Sequence, residues 1–278
     1  MENFIVKNNI DASNVKKLSG GLSNEIYLID NKYIWKKIKN NYLFDHMNEI
    51  EIIKNANNIK LYYFDKSNIC YSYIKGDNIT LKYYRDNLGN IIKLTKEYNS
   101  YDLNVPNFWN DIIPNWIKLL PNESGSMCFD KIKEFYNKIN NMMSIFEKDK
   151  LVLCHHDIHS GNIIQNENKL YLIDLEFSFM NYVYIELGNI ICEYYTDYSK
   201  ETYNYEYITS EIKIKILNQY DIEVNLTNVT KLNLGIIVSH FYWLVWGVLV
   251  NDKTPSDSFD YYNFAKCRYD QLDKYFYQ

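Results

Sequence analysis

The sequence predicts an α+β protein of two lobes, a small β-rich lobe over residues 1–75 and a larger, mainly helical lobe over residues 76–278. Three observations carry that prediction. Short β-prone runs fill the first seventy residues around a single helical stretch. The apolar spacing turns helical after Gly76-Asp77, and strands return briefly at 151–173 around a polar loop.

Taken in order, Asn24–Leu28 and Tyr33–Ile38 are β-prone runs separated by Asp30-Asn31, a hairpin-turn signal. Asp45–Asn55 carries Met47, Ile50 and Ile53 at helical spacing. Lys60–Phe64 and Ile69–Ile74 are again strand-like, with a turn at Asp65–Asn68. Beyond the connector, Leu81–Leu94 and Phe129–Phe146 have the spacing of helices packed on one face. The stretch from Lys93 to Met127 yields no assignment. Leu151–Cys154, Ile163-Ile164 and Leu170–Ile173 are short apolar strands, and helices follow to the end. From Leu232 to Val250 there is no charged residue if His240 is neutral, a length that fits a membrane span. The segment stands alone and lacks a flanking basic cluster, which favours a buried helix and no membrane span.

Composition excludes several classes. The 47% hydrophobic and 23% charged fractions are those of a globular protein. A net charge of −5 argues against a nucleic-acid partner, which calls for a basic face. Cys70, Cys128, Cys154, Cys192 and Cys267 are odd in number and scattered, the pattern of reduced thiols in a cytosol. Met1-Glu2-Asn3-Phe4 lacks the basic start and apolar run of a signal peptide, so a cytoplasmic protein is expected. The aromatic excess, 28 Tyr, 13 Phe and 5 Trp, matches a codon bias also seen in Asn, Ile and Lys, and carries weight only at particular positions.

The chemistry concentrates in His155-His156-Asp157-Ile158-His159-Ser160-Gly161-Asn162 and in Leu172-Ile173-Asp174. Phosphoryl transfer from ATP needs a group that orients the attacking hydroxyl and oxygen ligands that hold Mg²⁺. Asp157 precedes Asn162 by the spacing between a catalytic-loop Asp and a metal-binding Asn, and Asp174 falls at the exit of a hairpin turning at Asn166–Asn168. Asn and Asp oxygens suit Mg²⁺, a hard cation that keeps waters and substrate phosphates in its shell. A lone His-x-Asp is more often a hydrogen-bonded turn, and a lone Ile-Asp a strand end; jointly spaced, they favour a kinase. No Cys or further His is spaced to complete a zinc site around the adjacent histidines.

Residues 151–198 resemble the signature region of the choline/ethanolamine kinase family. Leu18–Asn24, His240–Trp246 and Phe259–Ala265 are similar to other parts of it. The resemblance implies a bilobal protein-kinase-like fold and a cytosolic enzyme with ATP and Mg²⁺ as cofactors, often a homodimer. Position by position it implies Asp157 as catalytic base, Asn162 and Asp174 as magnesium ligands, and Glu176 as an acidic neighbour. It matches Ser19, Gly20, Gly21, Ser23 and Asn24 to the phosphate-covering loop, whose glycines permit close backbone approach. Lys36 matches the strand cation that neutralises phosphates, with Lys37 as the competing choice; Glu49 is its expected partner, with Glu51 as the alternative. Ser72 and Ile74 in the connector are expected to read the adenine, and His159 to lie on the nucleotide side.

A choline nitrogen is fully charged but has no N–H, so a site selects it with aromatic faces and a nearby carboxylate. Beside Asp157, the resemblance assigns Glu193, Tyr198, Trp243, Trp246, Phe259 and Phe264 to that pocket. A Trp pair at helical spacing is otherwise more often core. The chain departs from the family at His156 (usually Asn), His159 (Gln or Leu), Phe264 (often Tyr), Glu186 (Asp) and Leu175 (Phe or Trp). Cys192–Tyr198 looks more like the choline branch, so phosphorylation of choline is expected, with ethanolamine as the alternative and an aminoglycoside further off.

Overall fold

A computed structural model describes residues 1–8, 11–18, 24–39, 43, 45–55, 59–121, 127–255 and 259–278. The chain divides into two compact units, Met1–Asn78 with Ile164–Ser178, and Ile79–Ile163 with Phe179–Gln278. The fold is α+β.

In the first unit, the strands Val15–Lys17, Asn24–Ile29, Tyr33–Ile38, Asn68–Ser72 and Leu61–Phe64 form one antiparallel sheet in that spatial order among the described residues. The Asp30-Asn31 turn forms as its sequence suggests: both residues take left-handed backbone (φ 52° and 50°), and Lys32 N–H donates to the Ile29 carbonyl at 3.0 Å. At the next turn Asp65 accepts from Ser67 N–H and from the Asn68 side chain at 2.8 and 3.0 Å, which fixes the reversal. The helix Met47–Asn55 begins where Asp45 accepts the Met47 N–H, and its Ile50, Ile52 and Ile53 are buried. A second piece of chain returns to this unit. Strand Ile163–Asn166 pairs with Asp77–Asn78 on one side and with Lys169–Leu172 on the other. Gly76 sits against Gln165 with φ 144°, a position closed to a side chain by conformation and by space.

The second unit is helical around a two-stranded ribbon. Leu151–Cys154 pairs antiparallel with Phe179–Tyr182, a strand absent from the sequence reading. The expected Leu81–Leu94 helix is two, Leu81–Asp86 and Leu88–Asn99. They break at Asn87, whose side chain donates to the Tyr83 carbonyl and competes with the helical ladder. The Phe129–Phe146 expectation resolves into an α-helix to Met142 with a tighter turn to Phe146. Within 93–127, the unassigned stretch, Phe108–Ile112 is a single wide π turn leading into Ile113–Leu119. That wide turn together with Pro106, Pro114 and Pro121 explains why no period was visible there.

The apolar segment at 232–250 belongs to the helix Leu226–Lys253, and 94% of its most apolar window is buried inside the protein. Its apolar faces are covered by helices Val183–Tyr194 and Tyr261–Tyr277, so it is a core helix. Gly188 and Gly235 let the first two approach backbone to backbone: a Cβ on Gly235 would strike the Tyr184 carbonyl. Overpacking of this kind costs about 1–3 kcal/mol or more. Gly235→Ala is therefore expected to lower the urea unfolding midpoint by at least that equivalent, and an unchanged midpoint would contradict the contact.

Candidate active site

In the first unit, Lys36 is buried (1% exposed) and its Nζ meets three carboxylates: Glu49 at 2.9 Å, Asp174 at 2.8 Å and Glu176 at 2.9 Å. Alternation along strand Tyr33–Ile38 decides between the two lysines. Lys36 faces inward, whereas Lys37 is exposed and approaches Glu25. Glu49, in the first turn of the 47–55 helix, pairs with Lys36, while Glu51 is exposed and near Lys54. Asn24 donates to Glu176 and accepts the Lys39 N–H, tying the strand to the acidic group.

One ammonium against three carboxylates leaves a formal charge of −2. Burial alone would lower the Lys36 pKa, but Asp174, Glu176 and Glu49 outweigh it and hold the ammonium well above its ordinary value. Burial, reinforced by Asp174 and Glu49, pushes Glu176 up to about 7 against the pull of Lys36. Asp174 differs from its neighbours. It takes left-handed backbone (φ 60°) just past the hairpin, and its side chain is 41% exposed against 8% for Glu176. A hard, partly open oxygen in a net-negative cluster fits a divalent cation.

Ser72 ends its strand with its N–H donated to the Lys60 carbonyl and its hydroxyl accepting the Lys60 N–H, so its own polar groups serve the sheet. Ile74 follows beyond the strand, half-buried. Ser19, Gly20, Gly21 and Ser23 lie outside the described residues; Asn24 is described and buried.

In the second unit, residues 155–162 form a loop whose backbone groups are held by surrounding side chains. His156 takes left-handed backbone (φ 62°) and its N–H donates to both oxygens of buried Glu186, at 3.2 and 3.3 Å. Its carbonyl accepts from Tyr242 at 2.9 Å, its Nε2 contacts the Asn181 amide at 2.9 Å, and its ring lies 4.3 Å from that of Phe108. The Ile158 carbonyl accepts from Tyr84. These braces present Asp157, whose Oδ2 accepts from the Asn162 side chain at 2.8 Å and lies 3.7 Å from His159 Nε2. Burial works to raise the Asp157 pKa, but His159 and His155 and the Asn162 amide prevail and lower it. At neutral pH Asp157 is therefore an anion.

Rings run on from this loop without a gap. His159 lies 5.3 Å from Tyr198, Tyr198 6.3 Å from Phe259, and Phe259 5.7 Å from Phe264. Phe264 in turn meets Trp243 and Trp246, which cross edge to face at 5.1 Å. Tyr198 and Phe259 are half-buried, whereas Trp243, Trp246 and Phe264 are at most 5% exposed. The structure thus brings the expected aromatic residues together, with the tryptophans the more deeply buried.

Residues 15–273 match the sequence profile of the family described as choline/ethanolamine kinase. The chain belongs to that family. It is 26% identical to the "Probable ethanolamine kinase A" of Dictyostelium discoideum, over 92% of this chain and 84% of that one. Among solved structures it is similar to an ethanolamine kinase of Plasmodium vivax, with TM-score 0.80, 18% identity, and 96% and 84% of the two chains covered. It is also similar to the choline kinase LicA of Streptococcus pneumoniae, with TM-score 0.75, 19% identity, and 98% and 96% covered. The fold is accordingly protein-kinase-like, and the protein is a phosphotransferase with an alcohol acceptor.

The structure of this kinase differs from the sequence reading at Glu193. Expected as the single carboxylate facing a substrate cation, it is buried with both oxygens engaged, Oε1 by Arg268 at 3.2 Å and Oε2 by the Tyr198 hydroxyl at 2.8 Å. Burial raises its pKa, and the Arg268 guanidinium opposes that. The sequence reading gave no role to Arg268, His240, Asn181 or Tyr242. Arg268 left a signal, because the chain uses arginine only at 85 and 268 among 30 basic residues. A guanidinium amid so many lysines marks a need for planar, stacked pairing.

Glu186, where the family usually has Asp, is fully buried, and burial pushes it up to about 7 despite the His156 N–H. Its unfolded reference is 4.5, so between pH 4.5 and about 7 only the unfolded chain ionises. The stability that the neutral acid contributes is lost as pH rises through that window, amounting to roughly 3 kcal/mol by its upper end. Glu186→Gln removes the titration. The variant is expected to gain stability relative to the parent by about that amount between pH 4.5 and 7.5, read from urea midpoints, and parallel pH curves would refute it.

Proposed function

We propose that this kinase phosphorylates choline, taking the γ-phosphoryl group of ATP with Mg²⁺ and releasing phosphocholine for phospholipid synthesis. The observation that carries the choline assignment is the unbroken run of rings from His159 through Tyr198, Phe259 and Phe264 to the Trp243–Trp246 pair. A trimethylammonium cannot donate N–H hydrogen bonds and is held by π faces, each contributing about 0.5–2 kcal/mol. The similarity of Cys192–Tyr198 to the choline branch points the same way. Ethanolamine is the second reading, favoured by the names of the Dictyostelium and Plasmodium relatives.

Asp157, ionised at neutral pH, accepts the choline hydroxyl's hydrogen bond and aims its oxygen for in-line attack. Asn162 orients that carboxylate from one side through Oδ2. Lys36, clamped by Glu49, supplies positive charge to the phosphates. Asp174 and Asn162 would hold magnesium, with Glu176 contributing to the negative field around Asp174. When bound, magnesium neutralises charge developing on the transferred group.

A coupled ADP-release assay with choline, ethanolamine and an aminoglycoside tests this reading; turnover with none of them by folded protein and Mg²⁺ would refute it. Asp157→Ala is expected to lower kcat by about 10³-fold or more with ATP binding retained, and near-normal turnover would remove Asp157 from its role. Trp246→Ala is expected to raise KM for choline at least about tenfold with KM for ATP little changed, and equal shifts would make Trp246 a core residue only.

A further inference from the structure

His156, the residue from which Asp157 projects, is held from four sides. Its N–H goes to Glu186 on the helix Val183–Tyr194, and its carbonyl accepts from Tyr242 on the helix Leu226–Lys253. Its ring meets Asn181 on the strand Phe179–Tyr182 and lies against Phe108 in the wide turn. The residue is fully buried, and its backbone is left-handed at φ 62°. That conformation is unfavourable for a residue with a side chain and persists where the surroundings impose it.

The Asn181 amide settles the protonation of the ring. Asn181 Oδ1 accepts the Tyr182 N–H at 2.9 Å, which turns its NH2 group toward His156 Nε2, also at 2.9 Å. An NH2 group donates and does not accept, so Nε2 presents a lone pair to it. The imidazole is therefore the neutral tautomer with its proton on Nδ1.

We propose that His156, in this tautomer, is a positioning residue for the phosphoryl transfer, fixing through Asn181 the backbone turn that aims Asp157. The proposal rests on the assignment of Asp157 as the group that orients the alcohol. Both peptide groups flanking the His156 Cα are hydrogen-bonded, so the freedom left at this residue is the angle between them. The ring turns with the Cα, so anchoring it to Asn181 and Phe108 fixes that angle. An orienting carboxylate has to stay within about 0.5 Å of its productive position, which a relaxed turn at the preceding residue would not ensure.

The test compares two substitutions. His156→Phe keeps a ring against Phe108 but has no lone pair for Asn181. His156→Asn tolerates left-handed backbone and offers an oxygen acceptor. With the alcohol that the parent turns over best, His156→Phe is expected to lower kcat about 10–100-fold, with each KM within about twofold of the parent. His156→Asn is expected to restore kcat to within about fivefold of the parent. Asn181→Leu is expected to reproduce the loss, and adding it to His156→Phe to deepen that loss little, because the two side chains act as one unit. In parent protein labelled with 15N-histidine, the His156 ring is expected to show an unprotonated Nε2 and a protonated Nδ1 at neutral pH. Should His156→Phe not fold, a result read from circular dichroism, Asn181→Leu and the nitrogen spectrum decide. A folded His156→Phe with parental kcat, a loss that falls equally on kcat and KM, or a protonated Nε2 would overturn the proposal. A parent that turns over neither choline nor ethanolamine would instead refute the reading on which it rests.

Discussion

A carboxylate taken out of water must find a cation, a donor or a proton, and that constraint organises both units of this kinase. Four glutamates are buried among the described residues: Glu49, Glu176, Glu186 and Glu193. Each meets the requirement differently. Glu49 and Glu176 share Lys36, Glu186 takes a backbone N–H and is pushed toward its protonated form, and Glu193 takes a guanidinium. The aspartates expected to touch substrate and metal, Asp157 and Asp174, keep part of their side chains open at 13% and 41%. The longer acids build the frame, and the shorter ones are left within reach of ligands.

The features legible in the sequence are those fixed by local chemistry. Asp30-Asn31 names its own turn because few residues accept left-handed backbone, whereas the choice between Lys36 and Lys37 needed the folded strand. The spacing of Asp157, Asn162 and Asp174 is likewise local, since one short loop and one hairpin set it. Where long-range partners decide, the sequence was silent. Phe179–Tyr182 becomes a strand because Leu151–Cys154 lies beside it, and the Phe108–Ile112 turn packs its first ring on His156. Glu193 could be placed near the aromatic residues from the sequence, but not paired, because Arg268 lies 75 residues further along the chain.

The Arg268–Glu193 pair is a costly way to fill a core. Replacing a buried ion pair by well-packed apolar side chains is often neutral or stabilising, whereas removing one partner costs about 3–5 kcal/mol. Here Arg268 lies against Phe264 and shares Glu193 with Tyr198, so its geometry is transmitted to two rings of the run proposed to meet the substrate. An apolar replacement would keep the packing but not the direction in which those rings and that hydroxyl are held.

The Lys36 cluster is the same problem left deliberately unsolved. Three carboxylates on one ammonium leave two negative charges without protein cations among its contacts, and burial pushes Glu176 up to about 7 as the consequence. A structural core would be better served by one acid fewer. The proposed nucleotide site would have a use for the excess, because Mg²⁺ carries the complementary charge and arrives with the substrate phosphates. Asp174, held in strained backbone and the most open of the three acids, is the group through which that excess reaches solvent. The cluster is therefore electrostatically incomplete by itself, as the proposed magnesium site requires.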